Sequence, residues 1–143
     1  MFKQILFPVD LEESEFAQSA LEDAIGLAKL HAARLHVLSV VPGYSMPLVA
    51  SFFPEGLFEK ACNEVKRHLE IYVREKIPSE IECSWNVRQG HPAENIVEEA
   101  RKHDVDLIVM PSHTRSHLDK RLIGSCASRV VELARCSVMV VRS

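Results

Sequence analysis

The sequence predicts a three-layer α/β/α domain built on a five-stranded parallel sheet, doubly wound. Two observations lead there. Short apolar runs alternate along the chain with stretches whose apolar residues recur at helical spacing, and strands alternating with helices imply a parallel sheet covered on both faces. The runs Ile5-Leu6-Phe7 and Leu107-Ile108-Val109-Met110 are unbroken, as strands buried on both sides require.

Phe2 to Val9 is the first strand; Pro8 near its end is unusual for a central strand because it removes a ladder donor. Asp10 falls where the strand stops. Ser14 is the expected N-cap of the first helix, whose inner face is Ala17, Ala20, Leu21, Ala24 and Ala28, small enough to lie close against a sheet. Arg34 to Val41 is the second strand, stopped by Pro42-Gly43. Residues 42 to 56 hold three prolines and two glycines, with Met46, Leu48, Val49, Phe52 and Phe53, a loop too apolar for a solvated linker. The second helix runs from Leu57 to Lys76 with Phe58, Cys62, Val65, Leu69 and Tyr72 as its buried stripe.

Beyond Pro78, Cys83, Trp85 and Val87 alternate with Ser84, Asn86 and Arg88, the period of an outer strand with one wet face. Gly90-His91-Pro92 is a turn with proline at the first helical position, and Ala93, Ile96, Val97 and Ala100 face inward from the third helix. The fourth strand leads through a basic loop to Gly124-Ser125 and a helix starting at Cys126, with Ala127, Val130, Val131 and Ala134 inward. Cys136 to Val141 is the fifth strand.

At 143 residues the chain is the size of one domain, residues 1–143, with no internal repeat. The net charge of −3 gives no reason to expect nucleic-acid binding. No apolar run approaches the roughly 20 residues of a membrane span, and the amino-terminal run is too short for a signal peptide. Cys62, Cys83, Cys126 and Cys136 form no C-x-x-C pair, so they read as reduced, mostly buried thiols and the location as cytoplasmic.

Strand, basic loop and helix start, from Asp106 to Ser125, is the arrangement that presents free backbone N–H groups and a positive dipole end to an anion. In doubly wound sheets ligands sit beyond the carboxyl ends of strands where the strand order reverses, and Asp10 and Pro111 occupy such ends. No Walker A loop occurs. The glycines of a dinucleotide fingerprint are replaced after the first strand by Asp10-Leu11-Glu12-Glu13. A phospho-receiver would want an aspartate and a lysine where Arg88-Gln89 and Val141-Arg142 stand.

With ILFPVD in the first strand, LHVLSVV in the second, QGHPAENIVEEA at the third strand–helix turn and DLIVMPSHTRSHLDKRLIGSCASRVVELARCSVMVV to the end, the chain resembles the universal stress protein family along its whole length. The resemblance implies a stress-response module, usually dimeric, with a subset of members binding ATP. Those members carry Gly-x2-Gly-x9-Gly-[Ser/Thr] in this loop; here the four positions fall at Pro111, Thr114, Gly124 and Ser125, so the spacing is kept and the first two glycines are lost. Pro111 offers no N–H and Thr114 resists a positive φ. The N–H groups near Gly124, Ser125 and Cys126, with the Ser125 hydroxyl, remain for an anion.

By the same resemblance ATP or AMP, with Mg²⁺, is the expected ligand. Pro8 and Val9 lead into the site, Asp10 accepts from ribose or adenine, and Val40 meets the adenine through its backbone. Met110 and His113 line the pocket, and Arg115, Lys120 and Arg121 bring positive charge. Ser125 is alternatively a plain N-cap, and Cys126 a packed thiol or, at a helix start, an acidic one. His113 and His117, spaced H-x3-H, lack a third ligand, so no metal site is expected. No catalytic residue is assigned; a slow hydrolase would have only His113 or Asp119 as base. The alternative is a nucleotide-independent partner-binding protein using the apolar 42–56 segment, its protein partner unknown. A homodimer through the open edge of the fifth strand, Ser137 to Val141, is expected in either case.

Overall fold

The computed structural model describes residues 1–42, 56–112 and 122–142, and of Leu57 and Phe58 the backbone alone. The apolar 43–55 stretch with Phe52 and Phe53, the loop residues His113, Thr114, Arg115, His117, Asp119, Lys120 and Arg121, and the Phe58 side chain thus lie outside the described residues.

The elements in order are β1 (Gln4–Pro8), a 3₁₀ segment (Leu11–Ala17), α1 (Gln18–His31), β2 (Arg34–Val41), α2 (Leu57–Lys76), β3 (Cys83–Gln89), α3 (Pro92–Lys102), β4 (Leu107–Pro111), α4 (Ser125–Leu133) and β5 (Ser137–Val141). All five strands pair in parallel in the order β3-β2-β1-β4-β5. The fold class and the outer position of β3 are as the sequence predicts.

The alternation of side chains along the strands sorts the core into two layers. Ile5, Phe7, Leu35, Val37, Leu107 and Val109 pack with α1 and α2 on one face. Leu6, Leu38, Ile108 and Met110 pack with α3 and α4 on the other. Ala20, Ala24 and Ala28 of α1 are buried as their spacing predicts. Gly90 is the turn residue that must be glycine: its φ is +121°, and a Cβ there would stand 3.0 Å from Asn95 Nδ2.

Several expectations need correction. Ser14 is not a helix N-cap. Residues 11–17 form a 3₁₀ segment capped by Asp10, whose Oδ1 accepts from Glu12 N–H at 3.1 Å, and α1 starts only at Gln18. The fourth helix begins at Ser125 with Gly124 as N-cap, so Ser125 is not the cap. Val131 is half exposed, not inward, and Trp85 is 40% exposed although its strand position reads as inner. The fifth strand starts at Ser137, one residue later than predicted.

Pro8 is accommodated by the way the sheet opens. β1 pairs with β2 from Gln4 to Pro8, but with β4 only at Ile5 and Leu6. Val9 N–H donates to Leu38 on the β2 side, so by alternation the donor that Pro8 lacks would have faced β4, where the ladder has already ended. The proline costs no sheet hydrogen bond, and a crevice starts where the two strands part.

Candidate ligand cleft

The crevice between the ends of β1 and β4 is a cavity of about 440 Å³. Pro8, Val9, Asp10, Val40, Met110, Pro111, Gly124, Ser125 and Cys126 all line it, so every described residue among the sequence-predicted contacts is gathered there. Pro111 forms part of the wall and leaves the space open. His113, Thr114 and Arg115 cannot be placed, lying outside the described residues.

The rim divides into two halves of opposite character. On one side stand Asp10, Glu12 and Glu13, brought there by the turn that Asp10 itself caps. On the other is the start of α4, where no side chain caps the helix. Gly124 N–H is spent on the Ser112 carbonyl at 2.7 Å, which removes it from the donors expected for an anion. The N–H groups of the first helical turn after it are the ones a helix leaves unmatched, and Ser125, Cys126 and Ala127 all line the cavity. The Cys126 thiol is pushed up by burial and then by the Glu94 charge, which favours packing over an acidic thiol. All four cysteines are free.

Sequence reading missed part of this wall. Leu11, Phe16 and Glu13 belong to it because residues 11–17 coil tightly, and a 3₁₀ segment leaves little periodic signal. Ser39 and Ser112, both buried, stand within or just beyond apolar strand runs, which hide them as site residues.

A second polar assembly lies on the α3 side of the sheet, among residues that composition marks as solvated. Glu99 of α3 is fully buried. Its Oε2 accepts from His36 Nε2 at 2.7 Å and Asn86 Nδ2 at 2.9 Å, and its Oε1 from Arg88 Nη1 at 3.1 Å. The other ring nitrogen of His36 meets Ser84 Oγ at 2.6 Å. Parallel register explains the convergence, since His36, Leu38 and Val40 stand opposite Ser84, Asn86 and Arg88. The supposedly wet face of β3 is thus the face that receives a buried carboxylate. Burial pushes His36 below its ordinary value despite the carboxylate beside it. Burial works to raise Glu99, but the hydrogen bonds from His36, Asn86 and Arg88 outweigh it and hold the carboxyl low.

Among the described residues no helix is long and apolar enough to cross a membrane. The universal stress protein family model matches residues 1–142. A universal stress protein of Thermus aquaticus is 34% identical over 145 residues, covering 99% of this chain and 100% of that protein. The solved structure of hypothetical protein MJ0577 is 29% identical, with a TM-score of 0.82, covering 100% of this chain and 97% of that one. The universal stress protein from Archaeoglobus fulgidus in complex with dAMP is 20% identical with a TM-score of 0.62, covering 98% of each chain, a likeness of fold.

Proposed function

Because the chain belongs to the universal stress protein family, we propose that it is a cytoplasmic stress-response module binding ATP or AMP in the cleft between β1, β4 and α4. The observation that carries this reading is the uncapped start of α4 opening into a cavity of about 440 Å³. Backbone N–H groups and a dipole end suit a phosphate there. On the opposite rim the Asp10 carboxylate suits ribose hydroxyls, and Val40 and Met110 suit the apolar faces of a base. The dAMP complex of the Archaeoglobus fulgidus protein, which shares the fold, agrees with the ligand class. Pro111 contributes no donor, so affinity falls below that of a loop with glycine there. Mg²⁺ would reach the site with the triphosphate. The protein acts as a binding module, not an enzyme.

Gly124→Asp tests the reading. Gly124 has φ −62° and ψ 159°, a conformation open to any residue. Aspartate there caps the helix, adding a few tenths of a kcal/mol of stability, while its charge takes the place of the phosphate. Isothermal titration is expected to show ATP binding to the natural chain and about tenfold weaker binding to the variant, the size of a cap-scale charge effect of about 1.4 kcal/mol. No heat at millimolar ATP with the natural chain ends the nucleotide reading and favours the partner-binding one.

We also propose a homodimer through β5, the sheet edge opposite β3. The Val141 carbonyl accepts from Ser112 N–H, so residues 137, 139 and 141 face β4, and the N–H groups of Val138 and Val140 face the open edge. Val140→Pro therefore removes a donor from the edge and none from the β4 ladder. Sedimentation is expected to show a dimer that the variant weakens, with the fold kept; unchanged mass in Val138→Pro and Val140→Pro contradicts it.

A further inference from the structure

We infer that His36, Glu99 and His103 form a binding site for a divalent transition-metal ion of zinc-like preference, separate from the ligand cleft. One ligand atom from each of the three lies within 4.8 Å of the others, the group of this kind found among the described residues. Glu99 Oε2 is 2.7 Å from His36 Nε2 and 3.5 Å from His103 Nε2. A tetrahedral zinc ion holds nitrogen at about 2.0–2.1 Å and carboxylate oxygen at about 2.0–2.2 Å, which sets neighbouring ligand atoms roughly 3.3 Å apart. The two separations from the carboxylate oxygen bracket that value, and the two ring nitrogens lie within 4.8 Å of each other.

The arrangement has the features that distinguish a site from a chance cluster. Glu99 and His103 are four residues apart on α3 and its C-cap, while His36 comes from the middle of β2, so the ligands are set on rigid elements. The two imidazoles stack with centroids 4.3 Å apart and an interplanar angle of 29°, which brings both Nε2 atoms to the same carboxylate oxygen. Ser84 Oγ, 2.6 Å from His36 Nδ1, supplies the outer partner that a metal-binding histidine commonly has. In the metal-free chain the proton of His36 lies on Nε2, because a carboxylate oxygen only accepts. On metal binding it moves to Nδ1 and is donated to Ser84, so Nε2 is freed without loss of a proton. Arg88 and Asn86 hold the carboxylate in place. His103, with its side chain 37% exposed, is the side of the cluster open to solvent.

The positive charge of Arg88 on the other carboxylate oxygen opposes the cation, so its removal should favour metal uptake. After chelator treatment, Co²⁺ titration is expected to produce the visible absorption of a tetrahedral site at one ion per chain, displaced by Zn²⁺. His103→Ala, at a partly exposed position, is expected to weaken uptake at least tenfold with the fold retained by circular dichroism. His36→Gln is expected to do the same, and Arg88→Gln to tighten binding severalfold, a gain that a structural role would not produce. Absence of Zn²⁺ uptake by the natural chain overturns the inference. So does uptake that persists in His103→Ala, since the metal would then sit on other histidines or cysteines.

Discussion

Glu99→Ala is expected to lower the free energy of unfolding by about 3–5 kcal/mol, the cost of breaking a buried charged pair from one side. The carboxylate accepts from His36, Asn86 and Arg88; with it gone the buried His36 and the partly buried Asn86 lose a partner, and Arg88 keeps only Asn95. Of these, His36 is 2% exposed and has nowhere to turn. Urea titration in the presence of a chelator checks this: the midpoint falls and the slope stays the same. Glu99→Gln keeps the shape and one acceptor oxygen but sets an NH₂ against the remaining donors, so its loss should be smaller. A midpoint for Glu99→Ala within experimental scatter of the natural chain would refute the account. Such a loss is a large part of the about 5–15 kcal/mol that holds a typical domain together.

The same assembly makes stability depend on pH in a stated direction. His36 is held below its ordinary 6.5 by burial. As the pH falls through 6.5 the unfolded chain takes up a proton that the folded chain refuses, so stability declines with acidification. Glu99 is held below its ordinary 4.5, where hydrogen bonds to the carboxylate overcome the effect of burial. Its contribution is present above 4.5 and is lost as the pH drops through the folded value. Both groups act with the same sign, and the lower part of the slope is expected to be missing in Glu99→Ala.

Why the cleft between β1 and β4 was legible in the sequence and this assembly was not has a physical reason. The cleft is made by strand ends and a helix start, which local signals mark: Pro8 and Asp10 where one apolar run stops, Pro111 where another does, Gly124 before a helix. Those signals stay valid without knowledge of which strands are neighbours. The Glu99 assembly depends on neighbours. Its residues meet because β2 lies beside β3 and α3 covers both, a consequence of strand order and register. In the sequence Glu99 is one of two adjacent glutamates on an amphipathic helix, and Ser84, Asn86 and Arg88 are the polar half of an alternating strand. Both patterns ordinarily mean solvent. The 3₁₀ segment was missed for a different reason. Asp10 and Ser14 both suit an N-cap, and only the turn made by Glu12 and Glu13 decides between them.

Phe7→Ala is expected to cost about 3–5 kcal/mol, the range for removing a buried aromatic ring whose cavity cannot fully collapse. Phe7 has no exposed surface and lies on the central strand, in the layer packed against α1 and α2. Pairing with Val37 of β2 fixes its backbone, so the space left by the ring cannot be closed by moving β1 alone. Trp85 provides the contrast within the same sheet. It is larger and apolar, and its alternating strand reads as inner there, yet it is 40% exposed on the edge strand β3. Trp85→Ala is therefore expected to cost clearly less than Phe7→Ala, since the exposed part of the indole contributes no transfer gain. Paired urea titrations compare them, and equal losses would mean that edge and centre of the sheet bury their aromatics alike. Because Phe7 precedes Pro8 and Asp10, its removal should also weaken the proposed nucleotide binding at temperatures where the protein is still folded. A Phe7→Leu variant, which refills most of the volume, is expected to restore both stability and affinity. Recovery of stability without affinity would show that the ring itself, and not the packing of β1, positions the floor of the cleft.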